Sequence, residues 1–136
     1  MEVQTVAEKV QRLVDRATPL LGEIPLARYD MSAATVAAAV LTTSGRIYTG
    51  VCVHVSCGIG WCAEQAAIAE MIKGRETHID LIVAVCAEGI VAPCGRCREL
   101  MVQVDPRNFD AQVALPNGRT ALLRELLPDH WMKSEP

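Results

Sequence analysis

The stretch that decides the fold runs from residue 62 to residue 97 and reads CAEQAAIAEMIKGRETHIDLIVAVCAEGIVAPCGRC. Residues 62–73 are rich in Ala, Ile and Met and are closed by Gly74, which is typical of a largely buried helix. Residues 79–87 form a nearly continuous apolar run, as expected of a strand covered on both faces. Helical spacing returns over residues 94–104. This order of helix, strand and helix predicts a sheet that lies between layers of helices.

The sequence on either side of this stretch supplies the remaining elements. Before it, apolar residues at helical spacing predict an amphipathic helix over residues 3–17. The runs 35–43 and 46–55, joined by a Ser-Gly turn, predict a β-hairpin. After it, we predict a short strand over residues 111–115 and a final helix over residues 121–127. We therefore expect a three-layer α/β fold in which a mixed β-sheet is flanked by helices.

The composition fits one domain that acts on a small molecule. A chain of 136 residues, 51% of them hydrophobic, can build its own core, and we expect a single domain over residues 1–136. The formal net charge is -3, and two Trp, two Tyr and one Phe are the whole aromatic content. Such a chain lacks the basic, aromatic-bearing groove that a nucleic-acid editing enzyme needs. We expect a small-molecule partner and no nucleic acid.

No segment of the sequence has the pattern of an export signal or a membrane span. Residues 1–21 carry acidic residues and no continuous apolar segment. No stretch approaches the roughly 20 apolar residues that a membrane-spanning helix needs. We therefore expect a cytoplasmic protein with no membrane contact. In that setting the six cysteines indicate metal binding or catalysis and not a disulfide framework.

Two of the predicted helices begin at a cysteine, and a third cysteine lies one turn further on. Cys94 and Cys97 are three residues apart, so their sulfur atoms share one face of a helix. Free N–H groups and the positive dipole at a helix start stabilise thiolate, the form that binds metal. Cys62, Cys94 and Cys97 are therefore candidate ligands of one Zn²⁺. Three protein ligands leave the fourth tetrahedral position open, which is typical of a catalytic site.

Glu64 lies two residues after Cys62, where its carboxylate can reach over a metal ion without binding it. Zinc deaminases carry a ligand, any residue and Glu, followed at a distance by P-C-x-x-C. The segments CAE at 62–64 and PCGRC at 93–97 match every position of that signature. In such a site Glu64 takes a proton from water, delivers it to the ring nitrogen and then protonates the departing amine. We therefore expect a hydrolytic deaminase with Glu64 as its acid and base.

These residues resemble the family of small cytidine deaminases and blasticidin-S deaminases, whose elements read C-A-E and P-C-G-x-C-R-Q. Here residues 62–65 read CAEQ and residues 93–99 read PCGRCRE, and the segments 44–53 and 124–128 also look like family segments. The resemblance covers most of the chain. It implies a cytidine deaminase-like fold, one Zn²⁺ per subunit on the three cysteines, and release of ammonia from a cytosine nucleoside. It also implies a homotetramer whose neighbouring subunits help to close each pocket.

The resemblance further implies contacts to the substrate and to the zinc thiolates. Backbone groups of three residues are expected to contact the pyrimidine edge: Ala63, Ala92 and Pro93. Gln65 stands where family members often have Arg, and both Gln65 and Arg98 are candidates to donate hydrogen bonds that draw charge from the sulfur atoms. Arg96 and the helix amides are further candidates for this work.

The expected sugar site departs from the family pattern. Where cytidine deaminases have N-V-E-N, residues 52–55 read C-V-H-V, so the Asn and Glu that hold the ribose are both absent. Ala34 replaces a usual Phe, and His130-Trp131 replaces a C-terminal Phe-Gly-Pro. Blasticidin-S deaminases also lack that Glu. The sequence predicts a cytosine nucleoside of the cytidine or deoxycytidine type, with Cys52 and His54 as candidate contacts, and blasticidin S as the alternative substrate.

Other interpretations of the cysteines stay open. Cys57 could be the fourth ligand of a closed structural zinc site, which would make the chain a non-catalytic, zinc-stabilised binding module. Cys94 and Cys97 could instead form a redox disulfide, but this leaves Cys62 and Glu64 unused. A purely structural site has no need of a carboxylate over the metal, so Glu64 favours catalysis.

Several other side chains have a structural as well as a functional interpretation. Cys52 and Cys86 lie in strand-like runs, where free cysteine usually packs as a small hydrophobe. His54 could contact substrate or serve as a satisfied structural group. The two tryptophans could line the pocket or pack at an interface. Glu99 is expected to be a charge on a helix surface or interface.

Overall fold

The computed structural model describes residues 3–134. Its first helix, α1 (Val6–Ala17), begins where the hydroxyl of Thr5 accepts a hydrogen bond from the backbone N–H of Glu8 at 3.1 Å. This N-cap explains why the helix starts three residues later than the apolar spacing predicts. Residues 1–2 and 135–136 lie outside the described range, so the domain boundaries 1–136 stay a prediction.

A mixed sheet of seven strands forms the middle layer of the fold. In chain order the strands are β1 (Ile24–Pro25), β2 (Ser32–Thr42), β3 (Ile47–His54), β4 (Ile79–Cys86), β5 (Gly89–Val91), β6 (Gln112–Ala114) and β7 (Thr120–Leu122). The predicted hairpin is β2 paired with β3, and β2 also pairs with β4. The pair β4 and β6 is parallel, and the other pairs are antiparallel.

Helices cover both faces of this sheet, as the buried strand β4 predicts. On one face α1 packs against alternate residues of β2 such as Ala37 and Ala39. On the other face lie α2 (Ala63–Lys73) and α3 (Gly95–Val104), which pack against the intervening residues Ala38 and Val40. The three-layer α/β fold is therefore confirmed, and each of its two apolar interfaces removes side chains from water.

A glycine sets how closely α2 lies on the sheet. A methyl group at Gly50 of β3 would overlap the backbone nitrogen of Ala67 and the side chain of Ala66 in α2. Only glycine leaves room for this approach. The first turn of α2, which carries Glu64, is thereby held above β3.

The C-terminal part of the chain differs from the prediction. The final helix expected over residues 121–127 is wrong, because residues 120–122 form β7, in which Ala121 pairs with Val113 of β6. The backbone N–H of Leu123 then donates to the carbonyl of Ala111 at 2.9 Å, and a short 3₁₀ helix follows over Leu123–Leu126. Pairing with a neighbouring strand overrides the local helical pattern here.

Strand β2 contains an irregularity that its sequence does not signal. Its pairing with β3 passes from Ala33 opposite Val53 to Ala37 opposite Val51, so three residues of β2 lie opposite Cys52 alone. Within this bulge Ala34 has φ of 65°, which is unusual for a residue other than glycine. The bulge lies where β2 approaches the beginning of α2.

No helix within residues 3–134 combines the length and the apolar character that crossing a membrane would require. The cytoplasmic location expected from the sequence stays a prediction.

Candidate active site

Three thiols meet between the first turns of α2 and α3. The Sγ atoms of Cys62 and Cys94 lie 3.5 Å apart, as do those of Cys94 and Cys97. All three Sγ atoms lie within 4.8 Å of one another, and among the described residues they are the one such group that could hold a metal ion. Tetrahedral Zn–S bonds of about 2.3 Å place sulfur atoms roughly 3.8 Å apart. The spacing of these thiols therefore fits a single zinc ion.

The fourth cysteine of the closed-site alternative lies outside this group. Cys57 is exposed, and it is not among the residues whose ligand atoms converge. The thiols of Cys94 and Cys97 are free and not joined by a disulfide. Three thiols therefore remain as candidate ligands, and three protein ligands are typical of an open zinc site.

Burial and local hydrogen bonds shift the pKa values of the three thiols in different directions. Cys62 and Cys94 are the N-caps of α2 and α3, each with extended backbone angles. Burial raises the pKa of Cys97 and of Cys62. Burial also acts to raise the pKa of Cys94, but hydrogen bonds from the Cys97 backbone and from the neighbouring thiols outweigh it, so that pKa is lowered. Metal binding needs all three thiols deprotonated, and the cap positions favour that form.

Glu64 lies in the first turn of α2 and is 4% exposed. Burial raises the pKa of this carboxyl group, although its own backbone N–H and the Cys97 thiol act in the opposite direction. None of the ion pairs found within residues 3–134 involves Glu64. A buried carboxyl group with a raised pKa and no cation beside it is suited to taking up and releasing a proton.

Glu64 and two of the three thiol-bearing residues line a pocket of about 370 Å³, whereas Cys97 is fully buried. Its floor is formed by Cys62, Cys94 and Glu64, and Ala63 and Ala92 lie beside them. The other lining residues are apolar side chains, two basic residues and two glycines of the loop after β3. They are Val36, Val53, Val55, Val91, Trp61, Cys52, His54, Arg96, Gly58 and Gly60. This volume is that of a small-molecule site.

The predicted substrate contacts are placed in different ways. Ala63, Ala92, Cys52 and His54 all line the pocket. His54 is exposed at the end of β3, whereas Cys52 is 2% exposed. Pro93 is buried and does not belong to the lining. Four of the five predicted contacts therefore lie around one pocket, and their roles stay predictions.

The two predicted tuning residues bind the backbone around the thiols. The side-chain carbonyl of Gln65 accepts a hydrogen bond from the backbone N–H of Cys62 at 3.1 Å. The guanidinium of Arg98 donates to the carbonyl oxygens of Pro93 at 2.9 Å and Leu126 at 3.3 Å. Both side chains thus fix the segments that carry the cysteines. A direct effect on the sulfur atoms stays a prediction.

Two pocket residues carried little signal in the sequence. Val36 and Val91 lie on different strands, and only the pairing of β2, β4 and β5 brings them to one cavity. Trp61, for which packing and pocket were both open, does line the pocket, and its indole donates to the carbonyl of Val51 at 3.1 Å. Arg96 also lines the pocket mouth, in the variable position of the C-x-x-C pair.

Glu99 holds the C-terminal segment to α3. Its carboxylate accepts from the indole of Trp131 at 3.0 Å and lies 2.8 Å from Nε2 of His130. The backbone N–H of Met132 donates to Nδ1 of His130, so Nε2 carries the proton that Glu99 accepts. Hydrogen bonds from Gln103, His130 and Trp131 lower the pKa of Glu99 to about 2. The carboxylate expected as a surface or interface charge is therefore an anchor within the chain.

Comparisons with known proteins agree with this geometry. A family model described as the cytidine and deoxycytidylate deaminase zinc-binding region matches residues 9–111. A cytidine deaminase of Mycobacterium tuberculosis is 33% identical over 114 residues, which span 78% of this chain and 75% of that protein. A blasticidin-S deaminase of Bacillus cereus is 30% identical over 121 residues, which span 80% of this chain and 82% of that protein.

One further relative is matched over less of its length. A Dictyostelium discoideum protein named "Probable cytidine deaminase" is 32% identical over 98 residues, so the match spans 68% of this chain and 65% of that relative. Among solved structures, a cytidine deaminase from Mycobacterium tuberculosis has a TM-score of 0.73 at 28% identity, covering 89% of this chain and 95% of that one. A cytidine deaminase from Burkholderia pseudomallei, at 24% identity and a TM-score of 0.71, shares the fold.

Proposed function

Because the chain belongs to the cytidine and deoxycytidylate deaminase family, whose members are zinc-dependent hydrolases acting on the cytosine amino group, we propose that it deaminates a cytosine nucleoside of the cytidine or deoxycytidine type. The products are the corresponding uracil nucleoside and ammonia. One observation carries the proposal: Glu64 lines a pocket of small-molecule size together with Cys62 and Cys94, two members of the three-thiol group.

Cys62, Cys94 and Cys97 would hold one Zn²⁺, because their Sγ atoms converge with a spacing that suits tetrahedral coordination. When bound, zinc lowers the pKa of a coordinated water from about 15.7 toward 7. The chain positions these thiols in two ways. The first turns of α2 and α3 bring them together, and the hydrogen bonds of Gln65 and Arg98 hold the segments that carry them.

Glu64 moves the protons of the reaction. Its carboxylate accepts a proton from water, and its carboxyl form gives that proton to ring nitrogen N3. Once the C4–O bond has formed, the carboxylate takes the second water proton from the C4 hydroxyl and passes it to the amine, so the C4–N bond breaks, C4=O forms and ammonia leaves. Burial raises the pKa of Glu64, which favours the carboxyl form more than in an exposed glutamate and suits a group that both takes up and releases protons.

The rest of the pocket orients the base and excludes water. Backbone groups of Ala63 and Ala92 stand beside the thiols, where the edge of the pyrimidine would lie. Pro93 begins the segment that leads into α3, and Arg98 fixes its carbonyl. Val36 and Val91 present apolar surface to the substrate and help to exclude bulk water from the pocket.

We further propose that the protein assembles as a homotetramer. Several apolar side chains are exposed, among them Ile59 at 70% and Trp131 at 60%. The family resemblance implies this assembly, and these exposed apolar side chains are available for contacts between subunits. Light scattering after size-exclusion chromatography tests this proposal, and a species with the mass of a single chain would contradict it.

The decisive experiment uses purified protein loaded with zinc. Cytidine, deoxycytidine and blasticidin S are supplied in parallel, and ultraviolet absorbance and ammonia are followed together. We expect ammonia and the uracil product in equal amounts from at least one of the first two substrates. The protein with Glu64→Ala, at matched zinc content, serves as the control. A zinc-loaded protein that releases no ammonia from any of the three overturns the proposal.

Blasticidin S is the second candidate substrate. The pocket lacks the Asn and Glu that the family resemblance assigns to ribose, and the match to the Bacillus cereus blasticidin-S deaminase spans 80% of this chain. Deamination of blasticidin S alone would make the chain an enzyme of that type.

A further inference from the structure

The bulge in β2 leaves polar groups that β3 cannot pair. Residues 34–36 lie opposite a single residue, Cys52, so the regular ladder of backbone hydrogen bonds is interrupted there. Ala34 adopts a left-handed conformation with φ of 65° and is 1% exposed. A buried N–H that loses its ladder partner needs another acceptor.

The Cys52 side chain supplies that acceptor. The backbone N–H of Val36 donates to Cys52 Sγ at 3.3 Å. The hydroxyl of Thr35 lies 3.3 Å from the same sulfur, within hydrogen-bond distance. The carbonyl of Ala34 accepts from the backbone N–H of Gly22 at 3.1 Å, so the bulge is held from both sides. One buried thiol thus replaces the missing rung of the ladder.

The bulge also shapes the pocket. Val36 and Cys52 line the same cavity as Glu64. Cys52 is 2% exposed, and its Sγ is already engaged by the Val36 N–H and the Thr35 hydroxyl, so this sulfur has little remaining capacity to hydrogen-bond to a ligand. The surface offered at this point is therefore the apolar side chain of Val36.

We propose that Cys52 is a positioning residue, which fixes the bulge over residues 34–36 and thereby holds Val36 against the substituent on N1 of the cytosine ring, instead of hydrogen-bonding to the sugar. This proposal rests on the proposed function. Its consequence is that the wall formed by β2 recognises the shape of the sugar and not its hydroxyl groups.

The test separates an indirect role from a direct sugar contact. Cytidine and 2′,3′-dideoxycytidine are compared on zinc-loaded wild type and Cys52→Ala. We expect KM to rise about tenfold for both substrates, with kcat changed less than about threefold, because Glu64 and the three thiols lie on α2 and α3. A loss confined to cytidine would mean that Cys52 binds a hydroxyl group, and an unchanged KM would remove Cys52 from the site. Either result overturns the proposal.

Two controls keep the result specific. Cys52→Ser retains a hydrogen-bonding group and is expected to recover part of the loss in KM. Cys86→Ala removes another strand thiol, one whose Sγ donates to Glu88 and lies outside the pocket lining, and should leave KM unchanged. A Cys52→Ser variant as impaired as Cys52→Ala would contradict the role of the hydrogen bonds.

A readout without substrate tests the bulge itself. Amide hydrogen exchange of Val36 should quicken at least tenfold in Cys52→Ala, while Val40, in the regular part of β2, keeps its protection. Unchanged exchange at Val36 overturns the proposal. This measurement stays valid if no nucleoside is deaminated, so failure of the proposed function and failure of the positioning role are distinguishable.

Discussion

The two ends of α3 hold polar groups in opposite ways. At its N-terminal end, Cys94 and Cys97 join Cys62 beside Glu64, a buried carboxyl group with no ion pair among the described residues. At its C-terminal end a cluster of three side chains, Asp105, Arg107 and Asn108, pairs its groups internally and with residues of the loop before β4.

The polar side chains of the C-terminal cluster have several hydrogen-bond partners. Asn108 is fully buried, accepts from the backbone N–H of Ile79 at 2.8 Å, and donates to the carbonyls of Met101 at 2.8 Å and Thr77 at 3.0 Å. Asp105 accepts from Arg107 and from the hydroxyl of Thr77. A buried cluster held by ion pairs and hydrogen bonds stabilises the fold, whereas a buried carboxyl group with no ion pair is suited to exchanging protons with a ligand. Changes at the two ends should therefore separate activity from stability.

The largest effect is expected at the thiols. Cys94→Ala removes one of three metal ligands, so bound zinc should fall below about a tenth of the wild-type content and turnover should be lost. Thermal stability should fall as well, because metal binding stabilises the folded state. Metal analysis and calorimetry on the same sample measure both. Full zinc retention would show that Cys94 is not a ligand.

Glu64→Gln should remove activity while sparing the fold. Loss of the proton carrier is expected to lower kcat by about 10² to 10⁴-fold. Zinc content should not change, and the free energy of unfolding should stay equal or rise slightly, because burial disfavours the carboxylate in the native protein. Steady-state kinetics measures kcat, and urea unfolding measures the free energy of unfolding. A kcat above a tenth of the wild-type value would exclude Glu64 as the acid and base.

Asn108→Ala should lower the stability of the fold while sparing activity. It removes three hydrogen bonds and takes the acceptor from the backbone N–H of the buried Ile79, so we expect a loss of roughly 2–4 kcal/mol in the free energy of unfolding. At a temperature where the variant is folded, kcat should stay within about twofold of wild type. Urea unfolding and kinetics at 15 °C measure these effects. A kcat loss above tenfold would mean that the two ends are coupled.

The smallest effect is expected from the acid titration of Asp105. Hydrogen bonds from Arg107, together with Thr77, lower the pKa of Asp105 to about 2 from its ordinary value of 3.8. A carboxyl group whose pKa is lower in the folded state stabilises the fold above pH 3.8, and this stabilisation is lost as pH falls through 2. Since Arg107 is largely exposed, we expect a contribution of about 1–2 kcal/mol.

The control for this titration is Asp105→Asn. Its unfolding free energy should lie below that of wild type at pH 6, and the two should converge toward pH 2 when measured by urea unfolding. A constant difference between pH 6 and pH 2 would contradict the lowered pKa.

Local patterns predicted the N-terminal end of α3, with its thiols, more fully than the rest of the structure. The spacing of Cys62, Glu64, Cys94 and Cys97 is short-range information, and both helices begin at the cysteines as predicted. The pocket walls were harder to predict from the sequence, because Val36 reaches the cavity through a bulge that depends on contacts between strands. Arg96 was a candidate only for hydrogen bonding to the thiolates, and its place in the pocket lining was not predicted.

Long-range pairing also explains the errors. The apolar residues over 121–127 fit a helix locally, but β6 offers an unpaired edge that Thr120–Leu122 completes. The cluster around Asn108 was not predicted, since its partners Thr77 and Ile79 are about thirty positions away in the chain. Such contacts emerge only from the packed fold.

Three consecutive alanines in β2, Ala37, Ala38 and Ala39, are completely buried between α1 and the helices of the opposite face. Any larger side chain there would push a helix away from the sheet. In evolutionary terms, this strand leaves little freedom for adaptive change, because displacing α2 also displaces Cys62 and Glu64. Descendants of this sequence that acquire new substrates are expected to differ first around His54 and Arg96, where added volume meets solvent.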